Sequence, residues 1–428
     1  MKKILAIVAV FLLGGVARAG KFDEPAAGGS LSAGPVRVGG LLDVRYSHTS
    51  LLRGALRNSS AGGGTNKLRY GGRDTDGDAI TDRDAHLFTI PTVSLLLDAA
   101  VLPSAHAHVH ANAGADPEVP QKGLGIAEAY ADVDQSWGRQ AFRLRGGAFY
   151  PQISWEHPGP AWSTRYTLTP SAIGTWVAED IRTLGFEGTW QVNLGRHWIR
   201  GSGGPVWGSD QTGWLLLQRG WAMHDYQADL SGGIPMPWPP PGEDATRPFQ
   251  EIDGRPGHSW RADVGLLDNH VQIGGGYWGN HVSSSAVFAG SHFDAYRTWI
   301  THLGGKLEWG GATLLGQYLT GGTASVTFGS KPLAPKGDDR GLTAWYGLAS
   351  YQWHKWRATY RYDQFQVEEW ESGVASTGAL SFDVGARQKI TAEYIRVMSG
   401  PTLYRSRTKS ADTNQTDAIF QLNHRFLF

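Results

Sequence analysis

The chain has 428 residues, its 39 Lys and Arg are balanced by 39 Asp and Glu, and it contains no cysteine. A neutral balance argues against a nucleic-acid partner, which calls for a basic surface. The missing thiols remove disulfides, thiolate metal sites and thiol nucleophiles together, and suit an oxidising envelope. The 18 Trp and 15 Tyr read as interfacial girdles if the chain lies in a membrane.

The first elements form an export leader. Met1-Lys2-Lys3 is basic, Ile4 to Leu13 is unbroken apolar sequence, and Ala17-Arg18-Ala19 fits a small-residue cleavage site. The expected leader is 1–19, with one domain over 20–428. Without Lys2, Lys3 and Arg18 the remainder has 36 basic against 39 acidic residues. No later stretch approaches eighteen consecutive apolar residues, so a membrane location would require a closed barrel, the strand architecture that leaves no unpaired edge in lipid.

Alternation bounded by turn residues then predicts strands in chain order. The first spans Val36 to Tyr46 and is followed by a long loop near 47–84. Leu87 to Leu97 pairs with Ala105 to Ala113, and Leu124 to Asp134 with Ala141 to Tyr150. The long aromatic stretch 151–180 comes next, then Ile181 to Val192 with His197 to Trp207. A proline-rich loop over about 209–257 cannot enter a ladder. The remaining strands are Ser259 to Leu267, Val271 to Trp278, Ala295 to Trp309, Ala312 to Thr320, Gly341 to Trp353, Trp356 to Gln366, Ala379 to Arg387, Lys389 to Met398 and Thr416 to Phe428. The expectation is an all-β, antiparallel, up-and-down transmembrane barrel of sixteen strands. Fourteen or eighteen stay open, because runs such as Gly213 to Leu217 fit a further strand, while Gly213 to Asp225 is also a second candidate for an inward fold.

The polar faces of these strands assign Arg37, Asp43, Arg45, His106, His108, His110, Glu128, Asp132, Arg143, Arg145, Glu187, Arg357, Arg361, Asp363, Glu393 and Arg425 to the lumen. A lumen this wide admits water unless loops fill it. Arg143, Arg145, Arg357 and Arg361 would bias a pore toward anions, unless Glu128, Asp132 and Asp363 pair with them. His106, His108 and His110 are spaced widely for one metal and read as a polar stripe.

Two loops carry candidate sites. Segment 151–180 places Trp155, Trp162 and Trp176 beside Glu156, His157, Arg165 and Tyr166. It is too apolar to extend into water, so it is expected to fold inward and narrow the lumen, the alternative being packing over the mouth. Asp74, Asp76, Asp78 and Asp82 have the spacing of a calcium loop, without the glycine and terminal glutamate such loops carry. Calcium is the one cofactor the sequence suggests.

The closing stretch DAIFQLNHRFLF sets Ala418, Phe420, Leu422, Phe426 and Phe428 on one face, and Asp417, Gln421, Asn423 and Arg425 on the other. A last strand ending in Phe resembles the signature by which Gram-negative outer-membrane barrels are recognised by their assembly machinery. The stretches RLRGGAFYPQISWEHPGPAW, YTLTPSAIGTWVAEDIRTLG, FQEIDGRPGHSW, RYDQFQV and AEYIRV resemble outer-membrane porin-like barrels, and more distantly the sixteen-stranded phosphate-selective porins. The resemblance implies a bacterial outer-membrane channel for small hydrophilic solutes or ions, seated in lipid and open to association as a trimer. The alternative is a non-conducting surface barrel that uses its outer loops as an adhesin or scaffold. Catalysis is not expected: Ser154, Glu156 and His157 come nearest to a catalytic set but project in different directions.

Overall fold

The computed structural model describes residues 31–33, 35–49, 68, 85–115, 124–230, 247, 249–282, 293–328, 339–369, 371–400 and 415–428. The leader 1–19, the acidic run Asp74, Asp76, Asp78 and Asp82, and the prolines of 235–241 lie outside them.

Sixteen long strands close a ring: β2 (Val36–Thr49), β3 (Ala85–Leu102), β4 (Ala105–Ala115), β5 (Gly125–Trp137), β6 (Gln140–Phe149), β7 (Thr183–Leu194), β8 (His197–Trp207), β9 (Gly257–Leu266), β10 (Val271–Gly279), β11 (Phe293–Trp309), β12 (Ala312–Phe328), β13 (Asp339–Trp353), β14 (Trp356–Val367), β15 (Glu371–Gly385), β16 (Gln388–Ser399) and β17 (Gln415–Leu427). Each pairs antiparallel with its sequence neighbour, and β17 returns to β2 from Ile419↔Thr49 to Leu427↔Leu41. A short β1 (Leu31–Ala33) pairs with Val36 to Val38, beyond the point where β17 stops.

Alternation sorts the two faces. On β6, Phe142 and Leu144 are exposed while Arg145 between registers is buried; on β14 every second residue from Arg357 to Val367 is covered. Outward aromatics gather toward both rims, with Trp137, Trp309, Trp353 and Trp356 near the short turns and Phe88, Trp260 and Trp345 nearer the long loops. Such belts suit the two interfaces of a bilayer. Gly310 and Gly311, at φ 55° and 85°, make the two-residue turn between β11 and β12, a backbone that side chains resist. Among the described residues no helix is long and apolar enough to cross a membrane.

Three details differ from the sequence reading. Gly213 to Leu217 is not strand: Trp214–Gln218 forms a helical turn inside the barrel, and an apolar run covered on all sides has no period to betray it. β15 begins at Glu371 rather than Ala379, because small residues from Ser372 to Gly378 pair with β14 without an apolar face. β7 begins at Thr183, since Ile181 and Arg182 belong to the inward segment.

Candidate functional site: the lumen and its inward segments

Residues 150–182 leave β6 and return to β7, whose first pair is Phe149↔Thr183. Between them the chain enters the barrel. A turn of 3-10 helix at Pro160–Trp162 holds Ala161 and Trp162 at φ 55° and 54°, and α1 (Ala172–Asp180) follows, with the Ser171 side chain accepting from the Gly174 amide at 3.1 Å. Every residue of α1 is buried, the polar Thr175, Glu179 and Asp180 included. A second inward stretch, 208–230, carries α2 (Trp214–Gln218). Trp176 meets Trp221 edge-on at 5.5 Å, and both join a cluster with Ile173, Val177, Leu215, Tyr296, Leu319 and Tyr346. The hydrophobic core of this protein therefore fills the lumen.

Polar groups of the wall bind the inward backbone. Arg361 donates to Glu156 Oε1 (3.1 Å), Asp363 Oδ2 (2.8 Å), the Thr169 carbonyl (2.8 Å) and the Pro170 carbonyl (3.0 Å). Asp363 accepts from the Ala172 amide at 3.3 Å, and Glu393 from the amides of Leu168 (2.6 Å) and Thr169 (3.1 Å). Gln421 reaches Thr169 Oγ1 at 3.1 Å, and Gln317 the Ile153 carbonyl at 2.7 Å. Arg45 holds the second stretch through Asp225, at 2.6 Å. Trp155 lies over Gly304, where a Cβ would stand 2.6 Å from its Nε1.

The tip crosses nearly the whole barrel. Tyr166 donates to Glu308 (3.2 Å), Lys389 to the Arg165 carbonyl (3.3 Å), and Arg425 lies 3.5 Å from the Thr164 carbonyl. Glu308, Lys389 and Arg425 stand within two residues of the short-turn ends of β11, β16 and β17.

Toward the long-loop rim, His157, Trp162, Tyr150 and Arg182 form one stack. Its ring centroids are 4.4 and 4.1 Å apart and the Arg182 guanidinium lies 3.5 Å above Tyr150. Arg182 also donates to the carbonyls of Val177 (3.1 Å), Ala178 (2.8 Å) and Ala228 (2.8 Å), a cation at the C-terminus of α1. Burial pushes the His157 imidazole down to about 3. Glu179 meets Arg219 at 2.6 Å and also His224. Burial opposes its charge, yet these two partners hold its carboxyl at about 2. The neighbouring Asp180 carboxyl rises to about 7 through burial and the Glu179 charge.

The remaining candidate residues are distributed around the wall. Arg143 is forked onto Asp134 at 2.7 and 3.2 Å, and Arg145 lies 4.2 Å over Tyr130, in register with Asp132 and Glu187. His110 contacts Ser94 (3.1 Å), His108 contacts Asp98 (2.6 Å), and His106 is opposite Asp132. Glu128 accepts from the Tyr150 amide at 3.0 Å. Arg357 reaches Ser350 at 3.1 Å and lies 5.3 Å from the Tyr166 ring centre. Arg37 is exposed at the short-turn rim. His157 Nδ1 lies 2.9 Å from Ser154 Oγ, but Glu156 is directed to Arg361 and to the Ser171 amide (2.8 Å). Arg182, Arg219, His224 and Gln421 were not candidates from sequence. Only the even-odd position of Gln421 on its strand foretold an inward direction.

Three cavities between the inward segments and the wall, from β15 round to β4, share lining residues in series. A cavity of about 420 Å³ at the short-turn mouth, bordered by Pro158, Arg165, Asp383, Lys389 and Arg425, shares Ser163, Thr164 and Arg425 with a gap of about 20 Å³. That gap shares Thr92 and Gln227 with another of about 10 Å³ beside Asn112 and Tyr226. Each gap has room for about one water.

A closed sixteen-stranded antiparallel barrel with short turns at one rim, long loops at the other and chain folded into its lumen is the fold of the outer-membrane porins. Among solved structures, the chain is similar to the anion-selective porin from Comamonas acidovorans (TM-score 0.51, 10% identity, 92% of this chain and 99% of that one). It is also similar to the outer membrane channel DcaP of Acinetobacter baumannii (0.51, 11%, 92% and 97%), and to Salmonella typhi OmpF in complex with daunomycin (0.50, 9%, 92% and 97%). No family model and no curated sequence matches the chain.

Proposed function

We propose that this protein is an integral outer-membrane channel for small hydrophilic solutes or ions, narrowed by 150–182. The observation that supports the reading is the series of three cavities between the inward segments and the wall, wide at the short-turn mouth beside β15 to β17 and one water across beside Asp43, Thr92 and His157. In this reading, displacement of the inward segment joins them into a path. The fold of porins, the lipid-suited outer belts and the leader expected at 1–19 support an outer-membrane location, with Phe428 as the signal for barrel assembly and a trimer as the natural assembly to test. Glu156 turns to Arg361 and the Ser171 amide, away from the Ser154 and His157 pair.

Charge compensation sets the expected selectivity. Arg143 is matched by Asp134, and Arg361 by Glu156 and Asp363, which leaves a weak net bias. The second reading is a closed surface barrel acting through its outer loops, and the density of the lumenal core favours it. Planar-bilayer recording of the folded full-length protein, beside a variant lacking Pro158 to Thr175, separates the two. The channel reading expects small steps that grow several-fold on deletion. Silence from wild type with steps only from the deletion variant favours the closed barrel, and silence from both overturns the channel.

A further inference from the structure

The connection between β8 and β9, residues 208–256, is tied at its base. The Asp210 amide donates to the Gln250 carbonyl (3.1 Å), the Arg247 amide to Gln211 Oε1 (2.7 Å) and the Gly208 amide to Glu251 Oε2 (2.7 Å). This stitching sets Asp210 of the outgoing stem against Glu251 and Asp253 of the returning one, with one carboxylate oxygen from each inside 4.8 Å of the others. Asp210 is 1% exposed, and the Asp253 side chain is fully covered. Like charges at this separation repel, most strongly where water is excluded.

One oxygen of this group is left over. Asp210 Oδ2 accepts from the Ile252 amide, whereas Oδ1 is buried with no hydrogen-bond partner. An unpartnered buried carboxylate oxygen is costly until a donor or a cation reaches it, and a cation also relieves the repulsion among three carboxylates. His281 meets the cluster from the Asp253 side, at 3.0 Å, away from that oxygen's own residue. The donors are carboxylates, a hard oxygen set that suits calcium better than zinc or copper. Oxygens sharing one calcium at about 2.4 Å lie no farther apart than about 4.8 Å, a bound that the three carboxylates meet.

We propose that Asp210, Glu251 and Asp253 form a calcium site that staples the two stems of this loop at the long-loop rim. It is distinct from the acidic run at Asp74 to Asp84 and independent of whether the barrel conducts. A calcium ion there neutralises the carboxylate cluster and fixes the loop base to β8, β9 and, through the Tyr296 amide on the Asp210 carbonyl (2.7 Å), to β11.

The test is calorimetric titration of calcium chloride into the chelator-treated, detergent-folded full chain, with proteolysis of 208–256 followed in parallel. Wild type is expected to bind calcium and to resist cleavage about tenfold longer with it. Asp210→Asn and Glu251→Gln should each lose one equivalent of binding and the protection, while replacing Asp74, Asp76, Asp78 and Asp82 by Asn leaves both intact. Wild-type binding and protection in the Asp210→Asn and Glu251→Gln proteins would overturn the proposal. So would a wild-type protein showing neither heat nor protection.

Discussion

Arg361 Nη1 stands 3.1 Å from Glu156 Oε1, with the two side chains 0% and 1% exposed, and so joins the wall of β14 to the inward segment out of reach of water. Burial decides its weight. The exposed pair Arg196 and Asp268, at 65% and 57%, has the geometry of a salt bridge but belongs to a class worth about 0–1 kcal/mol. Breaking a buried pair from one side costs about 3–5 kcal/mol, because the partner charge stays behind.

Arg361→Ala is therefore expected to release the inward segment, since Glu156, Asp363 and the Thr169 and Pro170 carbonyls lose one donor together. Proteolysis between Pro158 and Thr169 should accelerate at least tenfold. Adding Glu156→Gln should recover part of the loss by removing one stranded charge. Equal protease resistance in wild type and Arg361→Ala would show that the apolar cluster holds the segment alone.

Gly304→Val tests the other anchor. A Cβ at this position meets Trp155 at 2.6–2.7 Å, so the indole must leave its place on the wall. Overpacking of this kind costs about 1–3 kcal/mol. The thermal midpoint should fall while the strand signal in circular dichroism stays unchanged; a wild-type midpoint would mean that Trp155 repacks freely.

Acidity should act on the segment through two residues of opposite sign. His157, lowered from 6.5 to about 3, binds its proton better when the segment is released, so docking weakens as pH falls through 6.5 toward 3. Asp180, raised from 3.8 to about 7, binds its proton better when docked, so docking weakens as pH rises from about 4 to 7. The windows overlap and oppose each other between about pH 4 and 6.5. Measured by the thermal midpoint across this range, His157→Gln should leave a midpoint that falls with rising pH, and Asp180→Asn one that climbs. Parallel profiles for the two variants would refute the assignment.

Barrel closure offers a fourth test. The Gly40 amide donates to the Phe428 carbonyl at 2.8 Å and the Phe428 amide to the Gly40 carbonyl at 3.1 Å, while a Cβ on Gly40 would lie 2.3 Å from the Phe428 ring and 2.5 Å from the Ser94 carbonyl. Gly40→Val should slow folding into lipid vesicles about tenfold, scored by the heat-sensitive migration of folded barrels in gels. Phe428→Ala, which removes the ring, should restore part of the rate to Gly40→Val.

Much of the wall was legible because a strand's period needs no distant information. Arg357, Arg361 and Asp363 share one parity in the sequence, and all three are covered on β14. The ends of strands made of small residues were not, and Ser372 to Gly378 shows why: without an apolar face, its pairing with β14 and β16 defines it. The lumenal network was least legible. Glu156 and Arg361 are 205 positions apart, and Glu179 and Arg219 are 40. No local pattern links them, since the contact exists only once the chain has entered the ring. Trp155, Trp162 and Trp176 did mark 151–180 as unsuited to water, but not which wall residues would receive it.

The inward segment leaves and rejoins the wall at adjacent positions, Phe149 and Thr183. It is an excursion from one rim, and no end of the chain has to be drawn through the ring. Strand pairing and filling of the interior are thus separable events: β2 through β17 can zip in lipid around a wet interior, and the segment can drop in afterwards like a cork on a tether. The connectivity therefore lets the wall close before its interior is filled.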